Sequence, residues 1–153
     1  MLIVALYFSP SKSFAHTPQT AARKIETEKA GFCHLVRNPD QYDGKLVTVT
    51  AMIAAGPEGS IFHDNACEAS PSEPDLFAVV AFSQENYKFG SPIDKRLRTL
   101  LKKSPARVTV VGRFVDGKDQ PFGHLNCCRY KLEVQELLVV ERVSQAARDK
   151  PKT

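Results

Sequence analysis

The chain of 153 residues contains no tryptophan, and it lacks the short motifs that commonly mark catalysis. It has no glycine-rich loop that could cradle a phosphate, no nucleophile elbow and no paired-carboxylate motif. It also has no CxxC pair, the cysteine spacing that most often indicates a zinc or thiol-redox site. These absences give no support to an enzyme, so we expect a protein that binds rather than catalyses.

A strong excess of charge of one sign is also missing. The chain has 21 Lys and Arg against 17 Asp and Glu, a formal net charge of +4. Much of the excess lies at the C-terminal end, in Arg142, Arg148, Lys150 and Lys152. This balance does not point to a polyanionic partner. The hydrophobic content of 42% and the absence of low-complexity runs predict one globular domain.

No hydrophobic run is long enough to span a bilayer. The run from Leu2 to Phe8 is far too short for that. It is followed by Ser13-Phe14-Ala15, a small-x-small arrangement that signal peptidase accepts. Residues 1–15 are therefore predicted to be a signal peptide, and the protein to be periplasmic or extracellular without an integral membrane segment. Because a positive n-region is missing, we expect the true start to lie upstream or to be misassigned.

What the chain does contain is a series of short strand signals with one helix among them. The segments are a flexible lead-in at 16–25, a short helix at 26–37, strands at 45–54, 60–63, 76–82, 107–115 and 130–143, and a polar tail at 144–153. A longer helix separates the third strand from the fourth. The resulting β-β-β-α-β-β order predicts a mainly β domain over 26–143, a five-stranded OB-like barrel with a short N-terminal helix.

The strongest helix signal begins at Ser91. Ser91 can cap the free amides, Pro92 suits the first helical position, and Asp94 completes an S-x-x-D capping box. One face of the helix is apolar and the other is basic, which favours a solvated basic face over a nucleic-acid contact. The apolar face comprises Ile93, Leu97, Leu100 and Leu101.

Irregular pairing is predicted at two places in the last strands. The missing side chain of Gly112 would let its strand bend as a small barrel requires. Residues 137–140 are apolar on both faces, which predicts a bulge or coverage by a helix. Glu133 and Glu136 are three residues apart, so regular alternation would place them on opposite faces.

Several phrases of the sequence carry a resemblance. They are CHLVRNP at 33–39, YDGK at 42–45, VTVVGRF at 108–114, GHLN at 123–126 and LEVQ at 132–135. Together they resemble a group of small, exported bacterial proteins of OB-like architecture, over residues 31–141. The motifs map to no activity, so the resemblance implies the fold and export, and it implies no catalytic residue.

Four cysteines in an exported protein predict one or two disulfides. The candidates are Cys33, Cys67, Cys127 and Cys128. Neighbours on an extended strand point to opposite faces, so Cys127 and Cys128 would reach different partners. The favoured pairing joins Cys33 or Cys67 to one of them. Three complete connectivities exist for four cysteines, including a strained bond between Cys127 and Cys128.

An alternative interpretation is a metal-binding or thiol-redox protein. Thiolates and imidazoles from His63, Cys67, His124 and Cys127 could surround Zn²⁺ or Cu⁺. The spacings H-x3-C and H-x2-C are not diagnostic. The main interpretation therefore includes no cofactor.

A second alternative is binding of single-stranded nucleic acid or oligosaccharide on the barrel face. Its candidate residues are Phe62, Phe77, Tyr87, Lys88 and Arg113. Exposed aromatics would favour this function and buried ones would count against it, and export makes nucleic acid an unlikely partner. The sequence thus predicts an exported, non-enzymatic binding or envelope-associated module. It suggests a cell-envelope partner and does not identify the ligand.

Overall fold

The computed structural model describes residues 26–56, 59–64, 67, 78–123 and 128–143. The strands in these residues are β1 (Glu28–Gly31), β2 (Leu46–Gly56), β3 (Gly59–His63), β4 (Ala78–Phe82), β5 (Ala106–Asp116) and β6 (Tyr130–Arg142). The helices are α1 (Phe32–Arg37), α2 (Pro39–Tyr42) and α3 (Pro92–Leu101). The predicted segments at 1–15, 16–25 and 144–153 lie outside the described residues.

Five strands close into a barrel in the order β2-β3-β4-β6-β5, because β5 pairs back onto β2. The pairing of β4 with β6 is parallel, and the other four pairings are antiparallel. The helix α3 connects β4 to β5. The prediction of a mainly β, five-stranded OB-like barrel is confirmed.

The first described segment differs from the prediction of one helix at 26–37. Glu28–Gly31 is a strand, and only Phe32–Arg37 is helical. The segment before Phe32 has no large apolar side chain for a helix to bury, and Gly31 disfavours a helix. The strand β1 pairs parallel with residues 47–50 of β2, on the edge that β3 leaves open. The unpaired backbone of β2 therefore decides the structure of this segment.

The barrel interior is filled by alternate residues of the strands. In β2 these are Val47, Val49, Ala51 and Ile53, as the period of two predicts. The short helices close one side of the core with Phe32, Leu35 and Tyr42. The first helix ends at Arg37 and the second begins at Pro39, whose fixed φ suits a first helical position.

The ladder between β5 and β6 is interrupted twice. Thr109 pairs with Val139 and Val110 with Leu137, which leaves Leu138 as an extra residue. This confirms the predicted bulge. A second shift leaves Gln135 as an extra residue, and the buried positions of β6 move from Leu132 and Val134 to Leu137 and Val140.

The second bulge corrects the expectation for Glu133 and Glu136. Both carboxylates lie on the outer face of the barrel, because the extra residue Gln135 resets the alternation between them.

Gly112 is required by a close approach of the strands β5 and β6. A Cβ at this position would lie 2.9 Å from the carbonyl oxygen of Glu133.

Candidate functional site

In the described part of the chain a disulfide joins Cys33 to Cys67, with a Cα–Cα distance of 5.3 Å. The expected pairing of either residue with Cys127 or Cys128 is therefore wrong. Cys128 is buried and is not part of this bond, and Cys127 lies outside the described residues. The bond fastens α1, which precedes the barrel, to the connection between β3 and β4. A disulfide is typical of proteins outside the reducing cytoplasm.

The proposed metal ligands are not brought together by the described part of the chain. The Cys67 sulfur is bonded to Cys33, so in this form it is not a thiolate ligand. His63 ends β3, while His124 and Cys127 lie outside the described residues. Within the described ranges, no group of three or more His, Cys, Asp or Glu side chains could hold a metal ion.

Of the residues predicted for a stacking face, Tyr87 and Lys88 lie together in the β4–α3 connection, while Phe62 and Arg113 lie on the strands β3 and β5. Phe62 is 0% exposed in the core, and Tyr87 is also buried. Lys88 and Arg113 are exposed, and Arg113 donates a hydrogen bond of 2.8 Å to the Gly44 carbonyl. Phe77 lies outside the described residues. Burial of the two described aromatics counts against base or sugar stacking at these positions.

A cavity of about 330 Å³ opens instead between α3 and β6, and we call it the α3–β6 groove. One wall is the end of the β4–α3 connection and the first turn of α3, with Asn86, Tyr87, Lys88, Ser91 and Ile93. The other wall and the floor come from β5 and β6, with Val111, Gln135, Glu136 and Leu137. None of these residues except Tyr87 and Lys88 was singled out from the sequence as a site residue.

The groove exists because β4 leaves β6 early. Their parallel pairing runs from Ala78 opposite Tyr130 to Phe82 opposite Val134. Ser83 then donates one more backbone hydrogen bond of 2.8 Å to Val134, and the chain turns away. From residue 135 onward, this edge of β6 has no strand beside it in the described part of the chain. The groove occupies the first part of that gap.

The wall formed by the connection is held to α3 by Asp94. This residue is only 1% exposed. Its carboxylate accepts hydrogen bonds from the Tyr87 hydroxyl at 2.8 Å, the Gly90 amide at 2.8 Å and the Arg98 Nε at 3.0 Å. Two of these donors belong to the connection between β4 and α3, so Asp94 on α3 fixes the position of that connection. The groove is therefore formed before any ligand arrives.

The same contacts set the protonation of this cluster. Burial alone would raise the pKa of Asp94, but the hydrogen bonds from Arg98, Gly90 and Tyr87 outweigh it and lower that pKa. The pKa of the Tyr87 hydroxyl is raised, mainly by burial and to a smaller extent by the hydrogen bond to Asp94. At neutral pH the carboxylate is charged and the phenol keeps its proton. Tyr87 is thus a hydrogen-bond donor and not a general base.

The helix cap was predicted correctly, and the role of Asp94 was not. Ser91 Oγ accepts from the Asp94 amide at 3.3 Å, and Pro92 occupies the first turn. In a full capping box the Asp94 carboxylate would turn back to the Ser91 amide. That amide instead donates to the Lys88 carbonyl at 3.3 Å. Tyr87, four positions before Ser91, is the only feature of the sequence that indicates a buried partner for the Asp94 carboxylate.

A second polar cluster joins the β5–β6 connection to α2. Arg129 donates to both carboxylate oxygens of Asp116, at 2.8 and 2.9 Å. The hydrogen bond to Asp116 raises the pKa of Arg129. Lys118 is paired with Asp40. All four side chains are paired with one another, so the cluster ties the β5–β6 connection to α2.

The groove combines an apolar floor with a few polar groups. Val111, Leu137 and Ile93 supply the apolar surface, and Lys88 and Glu136 place one charge of each sign on facing walls. This composition is typical of a binding site. The residues that line it include no cysteine or histidine and no nucleophile paired with a base.

Comparison with family models, curated proteins and solved structures finds no match for this chain. In the described residues, no helix combines the length and apolarity needed to cross a membrane.

Proposed function

We propose that this protein is an exported, non-enzymatic binding module and that its ligand binds in the α3–β6 groove. One observation carries the proposal. The groove lies at a gap in the barrel wall, and the wall formed by the β4–α3 connection is held to α3 by the three hydrogen bonds to buried Asp94. Its volume of about 330 Å³ is within the range of small-ligand sites.

Export is supported by the Cys33–Cys67 disulfide, because such bonds persist outside the cytoplasm. The bond restrains the chain ahead of the barrel, as expected for a small domain that has to survive in an exposed compartment. A cell-envelope partner is consistent with this location. Neither alternative function gains an observation, since Cys67 is bonded and Phe62 is buried.

The proposal is tested by screening a library of small fragments against the labelled protein and mapping amide shifts by NMR. We expect hits whose shifts concentrate on the groove walls, around Lys88 and Glu136. The Lys88→Ala and Glu136→Ala variants should weaken those hits. Both side chains are exposed, so neither change should alter the fold.

The matched control is Lys95→Ala, which removes an exposed lysine from α3 outside the groove. This variant should bind every hit as the unmodified protein does. Hits that map consistently to another surface, or that ignore both groove variants, would contradict the proposal.

A further inference from the structure

We propose that the open edge of β6, residues 135–142, binds an extended peptide strand of a partner protein that places a basic residue opposite Glu136. This inference rests on the proposed function, because it names the class of ligand for the same groove. The partner strand would continue the sheet at the place where β4 leaves it.

The edge has the length of a strand site. β6 has 13 residues, of which five pair with β4, so along the other eight no strand of the described part of the chain pairs with this side of β6. Eight extended residues span about 26 Å. Unpaired N–H and C=O groups on such an edge are a template for another strand.

The apolar surface of the molecule is concentrated beside this edge. Among the described residues, the strongly exposed large apolar side chains are Phe89, Leu138 and Val139, at 47, 43 and 41%. Leu138 and Val139 lie on the edge itself, and the bulge places both on the outer face. Phe89 packs against Tyr87, a groove residue, with ring centroids 4.8 Å apart. A strand paired along 135–142 would cover the apolar pair.

The charged residues of β6 indicate which charge the incoming peptide strand carries. Glu133 lies opposite Arg113 and Glu141 lies opposite Arg107, so each has a basic cross-strand neighbour on β5. Glu136 lies opposite the apolar residue Val111 instead. Opposite charges across a pair of strands are favourable. A lysine or arginine on the incoming strand would give Glu136 the basic cross-strand neighbour that β5 does not supply.

The groove also fits the rest of a basic side chain. Its floor of Val111 and Leu137 can cover the methylene groups while the charged head reaches Glu136. Lys88 on the facing wall repels the incoming basic head and directs it toward Glu136. The basic residue is thereby confined to the β6 side of the groove.

A second copy of this chain fits the edge poorly. The antiparallel register that places Leu138 opposite Val139 of the other copy also keeps buried Leu137 opposite Val140. It would then place Glu136 opposite Glu141 at both ends. Like charges directly opposite destabilise a strand pair. The occupant is therefore a strand of a different protein.

The test uses two blocked synthetic peptides of alternating threonine and valine, one with a central lysine and the other with a central glutamate. Binding is measured by fluorescence anisotropy, and its location by amide hydrogen exchange. We expect the lysine peptide to bind about fivefold more tightly and to slow exchange along 135–142. Methylation of the alternate amides that face β6 should abolish binding, because those groups could no longer pair.

The Glu136→Gln variant should bind both peptides equally. Glu141→Gln is the matched control, and it should keep the preference for lysine because Arg107 already faces that acid.

Equal binding of both peptides to the unmodified protein would overturn the inference, as would slowed exchange at another surface. Slowed exchange along 135–142 at rising protein concentration without peptide would show self-pairing and also overturn it. Failure of both peptides with fragments still binding in the groove would overturn the inference and leave the proposed function standing. Failure of fragments and peptides alike would overturn both.

Discussion

Replacing Asp94 by asparagine should remove the main support of the α3–β6 groove. The side chain would keep its shape and lose its charge, and its new amide hydrogens would face groups that are themselves donors. Hydrogen bonds to a buried charged group contribute about 1.5–3 kcal/mol each. Those from Tyr87 and Gly90 are affected most. The Arg98 side chain is 55% exposed, so its ion pair adds at most about 1 kcal/mol.

We therefore expect Asp94→Asn to lower the free energy of unfolding by about 3 kcal/mol at pH 7. Urea denaturation followed by circular dichroism would measure the loss. With a slope near 1.5 kcal/mol/M, the midpoint would fall by about 2 M. The control is Glu85→Gln, which makes the same change of charge at an exposed position of the same connection. It should change the stability by no more than about 0.5 kcal/mol.

The pH dependence provides a second, independent check. The pKa of Asp94 is lowered in the folded protein, so its stabilisation is complete above the ordinary value of about 3.9 and is lost as the pH falls below it. Asparagine does not titrate. The stability difference between the two proteins should stay constant from pH 7 to pH 5 and narrow below about pH 4. A difference under about 1 kcal/mol at pH 7, or one that does not narrow in acid, would refute the assigned role of the carboxylate.

Two further substitutions test the Cys33–Cys67 disulfide and the close approach of β5 to β6 at Gly112. Cys67→Ser removes the disulfide, which joins residues 34 apart in sequence, and should lower the free energy of unfolding by about 3–4 kcal/mol. A melting temperature equal to that of the oxidised protein would argue against the disulfide. Gly112→Val forces a Cβ to within 2.9 Å of the Glu133 carbonyl and should cost about 2–4 kcal/mol. Gly31→Ala is its control, since a Cβ there has no neighbour within 4 Å, and equal melts of the two glycine variants would contradict the close approach.

The features that could be predicted from the sequence are those set by neighbouring residues. Strand alternation, the Ser91 cap and the bulge near Leu138 all follow from local patterns. The β-β-β-α-β-β order then restricts the barrel to few topologies. This is why the fold class was accessible without any knowledge of distant contacts.

The features that could not be predicted depend on contacts between distant parts of the chain. The strand β1 forms because an edge of β2 is open, and cysteine spacing does not reveal that Cys33 meets Cys67. The outward position of Glu136 depends on the extra residue at Gln135, and no residue type marks that register shift. The groove itself results from the early departure of β4, which only the assembled sheet shows.

The position of β6 in the barrel has a consequence for how the chain acquires its fold. Among the described strands β6 comes last in sequence, and it lies between β4 and β5 and joins them. A chain that emerges from a ribosome or a translocation pore with its N-terminus first holds four barrel strands that cannot yet form a closed wall. Until residues 130–142 appear, the edges of β4 and β5 stay open to other chains. Closure of the barrel is thereby deferred until residues 130–142 are available, and a truncation before Tyr130 would yield an aggregation-prone sheet rather than a smaller barrel.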